Sequence, residues 1–132
     1  MLNNHKILVV EDENIVAMDI QFTLKSLGYD VCGVVASGEE SVKKAFMMQP
    51  DLVLMDIKLR GNIDGLCAAK QIQARLNIPV IYLTAYGDEN TLSTIDRTKP
   101  YDYIHKPFQE KELQSTIERN LHNPQQNCHR YN

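Results

Sequence analysis

The sequence predicts an α/β fold, a doubly wound sheet of five parallel strands with helices on both faces. Three observations carry this. Residues 7–10, 52–55 and 80–83 are short unbroken apolar runs ending in polar residues, the pattern of strands covered on both sides. Strand and helix patterns alternate strictly, five times over, which calls for a parallel sheet with right-handed crossovers. The chain has 132 residues, 43% apolar and 23% charged, an ordinary composition for one domain. A domain of this size has a radius of gyration of roughly 14 Å and buries about two thirds of its unfolded surface.

The elements follow in order. After the strand at 7–10, Val16, Ile20, Leu24 and Leu27 recur at helical spacing, and Gly28 is placed to end that helix. The strand at 31–35 is interrupted by Gly33 and belongs at an edge. Ser37 and Glu40 form a capping box that opens a second helix, which runs to Met48 and stops at Pro50. The strand at 52–55 is central. A third helix turns Leu66, Ala69, Ile72 and Leu76 inward and ends before Pro79. The strand at 80–83 is also central. A fourth helix is expected over residues 88–97, but it offers only Leu92 and Ile95 as apolar anchors. Little burial then opposes the entropy of ordering it, which makes it the candidate mobile element. The strand at 101–104 carries Asp102 and reads as the second edge, with a more exposed side. The last helix buries Leu113, Ile117 and Leu121. With strands 1, 3 and 4 inside and 2 and 5 outside, the simplest order is the flavodoxin-like 2-1-3-4-5. The domain is placed at residues 1–122, and residues 123–132, which lack an apolar period, read as a tail or the start of a linker.

Composition narrows the function. Lys and Arg number 14 against 17 Asp and Glu, a net charge of −3, with no basic cluster. This argues against direct nucleic-acid binding, which rests on several cations on one face. No secretory signal and no run approaching about 18 apolar residues is present, so a cytoplasmic location away from membranes is expected. The cysteines Cys32, Cys67 and Cys128 are odd in number and contain no CxxC pair, which supports neither a disulfide framework nor a zinc site. Cys67 is read as a small core or boundary residue and Cys128 as a tail thiol. His5, His105, His122 and His129 fall at no ligand spacing and are read as solvated or packing residues.

Ligands of such sheets sit beyond the carboxyl ends of the strands. Glu11 and Asp12 follow strand 1, Asp56 strand 3 and Lys106 strand 5, while Thr84 ends strand 4. Each has an ordinary explanation alone, as a cap, a turn residue or a solvated charge; the constellation carries the inference. Carboxylates brought to about 4 Å repel by about 4 kcal/mol per pair at an effective dielectric near 20, so the group needs a cation. Hard oxygen ligands in a partly open cluster suit Mg²⁺.

The motifs ILVVEDE at 7–13, PDLVLMDIKL around Asp56, DG at Asp64 and Gly65, PVIYLTA ending at Ala85, and YIHKPF from Tyr103 to Phe108 agree in order and spacing with one family. Over residues 5–121 the chain resembles a receiver domain of two-component response regulators. The resemblance implies a phosphoacceptor signalling domain rather than an enzyme with turnover. Asp56 would accept a phosphoryl group from a sensor histidine kinase or phosphotransfer protein. Glu11, Asp12, Asp56 and the backbone carbonyl of Lys58 would hold Mg²⁺. Lys106 and the Thr84 hydroxyl would contact the phosphoryl oxygens, and Tyr103 would turn inward as Thr84 moves. The fourth helix, fifth strand and fifth helix would then present a changed surface to a downstream protein, an output domain or a second copy of the chain.

The chain departs from the common pattern at Leu59, Arg60, Gly61 and Asn62, where many receivers have Met-Pro, so a looser loop is expected there. Thr98, Lys99, Pro100 and Tyr101 replace the frequent Gly-Ala pair. Lys58 and Tyr86 occupy the positions that in this family influence how fast water removes the phosphoryl group, and their size implies hindered hydrolysis. Two other classes share parts of this reading. A flavodoxin-like cofactor binder is disfavoured because Glu11, Asp12 and Glu13 would repel a nucleotide phosphate. A Mg²⁺-dependent phosphohydrolase using Asp56 would usually place a second aspartate where Lys58 stands.

Overall fold

The computed structural model describes residues 5–95 and 97–122. The elements are β1 (Lys6–Val10), α1 (Asn14–Ser26), β2 (Asp30–Val35), α2 (Gly38–Met48), β3 (Leu52–Asp56), α3 (Gly65–Gln73), β4 (Val80–Thr84), α4 (Glu89–Leu92), β5 (Tyr101–His105) and α5 (Glu110–His122). All strand pairs are parallel and the order is β2-β1-β3-β4-β5, as the sequence predicts. The expected tail at 123–132, with Cys128 and His129, lies outside the described residues. Among the described residues, no helix is long and apolar enough to cross a membrane.

Because successive strand residues point to opposite faces, the central strands feed two cores. Leu8, Val10, Val53, Met55 and Tyr82 pack with Ala45 of α2 and Ala68, Ala69 and Ile72 of α3. Ile7, Val9, Leu54, Ile81 and Leu83 pack with Ile20 and Leu24 of α1 and Leu113 and Ile117 of α5. Each buried aliphatic side chain contributes about 1.5–3 kcal/mol relative to exposure. The edge strands carry the exposed positions, though not where Asp102 suggested. Asp102 is buried, accepting from Arg119 Nη2 at 2.6 Å and Asn120 Nδ2 at 3.1 Å, while Tyr103 and His105 face outward.

Local chemistry sets the helix ends. Gly28, at φ 92°, turns the chain out of α1. Ser37 caps α2 by accepting from the Glu40 N–H at 3.1 Å, and the Glu40 carboxylate returns to the Ser37 hydroxyl at 3.2 Å. Asp64 caps α3 by accepting from the Cys67 N–H at 2.9 Å. Cys67 itself is exposed, not a core or boundary residue, because it sits on the solvent side of α3.

The fourth helix is much shorter than expected, a single turn at Glu89–Leu92. Its continuation is poor in helix formers, and its hydroxyls take the backbone for themselves. Ser93 Oγ donates to the Asn90 carbonyl at 2.6 Å and Thr94 Oγ1 to the Thr91 carbonyl at 2.7 Å. Such local bonds compete with helix extension. Ile95 is still buried and anchors the segment against the α2–α3 side.

Candidate functional site

The sheet delivers its acidic residues to one edge. The Glu11 N–H donates to the Val35 carbonyl at 3.0 Å, continuing the β1–β2 ladder and holding Glu11 at 2% exposure. Asp12 follows at the start of the turn into α1. Asp56 ends β3 opposite Leu83 of β4 and is 7% exposed. The opening of α3 lies directly on this strand end: the Gly65 N–H donates to the Ile57 carbonyl at 2.9 Å, and a Cβ on Gly65 would stand 2.0 Å from the Asp56 carbonyl oxygen. Only glycine allows that approach. Lys106 is placed by its own N–H, which donates to the Thr84 carbonyl at 2.7 Å.

These constraints bring Glu11, Asp12 and Asp56 together with ligand oxygens all within 4.8 Å of one another. Lys106 Nζ reaches Glu11 Oε1 at 2.9 Å and Asp56 Oδ2 at 3.4 Å. The compensation is incomplete. Burial first, and then the Glu11 charge, raise the Asp56 pKa to about 7 despite Lys106 and the Lys58 N–H bond to Oδ1. Burial works against charge on Lys106 too, but its bond to Glu11 and the charges of both carboxylates outweigh that and raise its pKa. A carboxyl group held half protonated near neutrality is one short of positive charge, and three clustered oxygen donors fit Mg²⁺. Among the described residues this is the one such cluster.

Thr84 and Tyr103 are at the edge but turned from Asp56. The Thr84 hydroxyl, fully buried, lies 3.3 Å from the Ile104 carbonyl and 2.8 Å from His105 Nδ1. His105 in turn meets the Tyr103 ring edge-on, centroids 5.6 Å apart. Tyr103 is 46% exposed.

The loops around the cluster contribute contacts that the sequence did not single out for the site. Arg60 reaches Asp12 Oδ2 with its N–H at 3.3 Å and with Nε at 3.5 Å. The Asn62 N–H donates to Glu39 Oε2 at 3.0 Å, so the loop expected to be loose is fastened at two points. Lys58 Nζ pairs with Asp88 at 3.4 Å, and Asp88 Oδ2 accepts the Ala85 N–H at 2.7 Å, tying the loops after β3 and β4 together across the site. His105 was legible in principle, since parallel register sets it beside Thr84. Arg60, Glu39 and Asp88 depend on loop paths that no periodicity encodes.

Comparison with known proteins agrees with this geometry. The family model for the response regulator receiver domain matches residues 7–118. The transcriptional regulatory protein PdtaR of Mycobacterium tuberculosis is 33% identical over 113 residues, covering 86% of this chain and 55% of its own length. The chain thus spans about half the length of the curated relatives it matches. The receiver domain of a modulated diguanylate cyclase from Desulfovibrio desulfuricans superposes with a TM-score of 0.85 at 37% identity, covering 92% of this chain and 96% of that one. The receiver domain of the sensor histidine kinase PA1611 from Pseudomonas aeruginosa, solved with magnesium coordinated in its active site cleft, superposes with a TM-score of 0.76 at 34% identity, covering 89% and 97%.

Proposed function

The chain belongs to the response regulator receiver domain family, a class of phosphoacceptor signalling modules, and from that premise we propose that Asp56 accepts a phosphoryl group in a Mg²⁺-dependent reaction and that the α4, β5 and α5 surface reports it. The observation that carries this reading is the set of three carboxylates within 4.8 Å, with Lys106 shared between Glu11 and Asp56. Glu11, Asp12 and Asp56, with the backbone carbonyl of Lys58, would hold Mg²⁺. Bound there, the ion supplies the positive charge that lets a carboxylate meet an anionic phosphoryl group.

An Asp56 carboxylate oxygen attacks phosphorus in a phosphohistidine of the donor; the P–O bond forms as the P–N bond breaks, and the departing imidazole takes a proton from solvent. Lys106, already at the Asp56 carboxylate, pairs with the transferred group. The Thr84 hydroxyl leaves His105 to reach a phosphoryl oxygen, and Tyr103 follows inward. Two charge-assisted contacts of roughly 1.5–3 kcal/mol each supply most of the about 5.5 kcal/mol that moves a switch from 1:99 to 99:1. Lys58, linked to Asp88 across the site, slows hydrolysis of the phosphoryl group.

The donor is a sensor histidine kinase or phosphotransfer protein. Its docking is supported by α1, which starts just after Asp12 and leaves Ile15, Met18 and Phe22 at 84, 68 and 73% exposure along one helical stripe. The receiver of that message is a protein surface, a second copy included, rather than nucleic acid, in keeping with the net charge of −3. Beryllofluoride, a phosphoryl mimic, tests the switch: with Mg²⁺ it should move the amide resonances of Thr84, Ala85 and Tyr103 in the parent and leave Asp56→Asn unchanged. Equal responses in both proteins would refute the reading.

A further inference from the structure

We infer that Arg60 is an internal counterion of the metal site, whose guanidinium Mg²⁺ displaces from Asp12, so that metal loading also removes one tie of the loop between β3 and α3. The inference rests on the reading of Glu11, Asp12 and Asp56 as a Mg²⁺ site. In this structure every carboxylate of the cluster already has a protein cation: Lys106 serves Glu11 and Asp56, and Arg60 serves Asp12.

The two cations are held differently. The Lys106 side chain is 21% exposed and is fixed by a strand, whereas the Arg60 side chain is 86% exposed and rides on a loop. Asp12 is the most accessible of the three carboxylates at 12%, yet one of its oxygens, Oδ2, accepts the backbone N–H of Arg60 and lies 3.5 Å from its guanidinium Nε. A divalent ion near that oxygen meets a guanidinium within contact distance of the same atom, and like charges so close repel even in water. The guanidinium swings into solvent at little cost, because an exposed ion pair is weak. The loop loses that tie and keeps the Arg60 N–H bond to Asp12, Asn62 to Glu39 and Lys58 to Asp88. Arg60 therefore lowers Mg²⁺ affinity and couples occupancy of the site to the loop that borders it.

Mg²⁺ titration of the whole chain, followed by amide spectra and calorimetry, tests this. Arg60→Ala should bind Mg²⁺ about three- to tenfold more tightly than the parent, with Arg60→Lys between them. Lys25→Ala, the same charge change at the far end of α1, should bind as the parent does. In the parent, Mg²⁺ should shift the Arg60 Nε–H resonance and speed its exchange with water. Arg60→Ala affinity within twofold of the parent, or an Arg60 Nε–H indifferent to Mg²⁺ while the parent binds the ion, would overturn the role of Arg60 and leave the metal site standing. Failure of parent and variants alike to bind millimolar Mg²⁺ would overturn both.

Discussion

Asp56 shows how burial of a few atoms becomes a property of the whole protein. Its pKa rises from 3.8 to about 7 on folding, chiefly through desolvation and then the Glu11 charge. The folded state therefore binds the proton more tightly than the unfolded chain, and stability falls as pH climbs from about 4 to 7, with the full penalty present above 7. Asp56→Asn should accordingly be more stable than the parent by about 1–3 kcal/mol at pH 8 and nearly equal to it at pH 4, as read by urea denaturation. Saturating Mg²⁺ should narrow the gap at pH 8. A constant difference across pH would mean that the cluster is not under-compensated. Lys106→Ala should have the opposite sign, costing about 1–3 kcal/mol at pH 8 by leaving Glu11 and Asp56 without their shared cation. At this scale Glu11, Asp12, Asp56, Thr84 and Lys106 were legible because each sits where an apolar strand ends. The orientation of the Thr84 hydroxyl toward His105 was not, since rotamers answer to neighbours and not to sequence spacing.

Elements were legible to the extent that burial defines them. The three apolar runs became the three central strands, and the Ser37–Glu40 box opens α2 as its chemistry requires. The fourth helix failed for a reason the sequence also contains: in place of apolar anchors, Ser93 and Thr94 offer hydroxyls, which bond the Asn90 and Thr91 carbonyls. Replacing Ser93 and Thr94 with alanine removes those bonds and raises helix propensity by a few tenths of a kcal/mol per site, so carbon chemical shifts should report helix continuing beyond Leu92. Unchanged shifts would place the limit in packing instead. Where α3 opens, the tolerance is of another order. Gly65→Ala forces a Cβ to within 2.0 Å of the Asp56 carbonyl oxygen, a backbone clash that should cost about 3 kcal/mol or more. Thermal unfolding measures this, and a variant as stable as the parent would contradict the close approach.

In the whole molecule, two cores on opposite faces hold a sheet whose carboxyl edge gathers charges that would repel each other elsewhere. The order β2-β1-β3-β4-β5 places β1 and β3 side by side, which is why residues 11 and 12 meet residue 56. Topology was readable because alternation and strand character leave few arrangements; the loops that bridge Arg60 to Asp12 and Lys58 to Asp88 were not, because they are set by the assembled edge. We propose that this edge directs phosphorylation to one carboxylate. Incubation with acetyl phosphate, with and without Mg²⁺, followed by intact-mass and peptide-level mass spectrometry, tests it most directly. A single phosphoryl group is expected, on Asp56, only when Mg²⁺ is present, and none in Asp56→Asn. Modification without Mg²⁺, or persisting in Asp56→Asn, would contradict it.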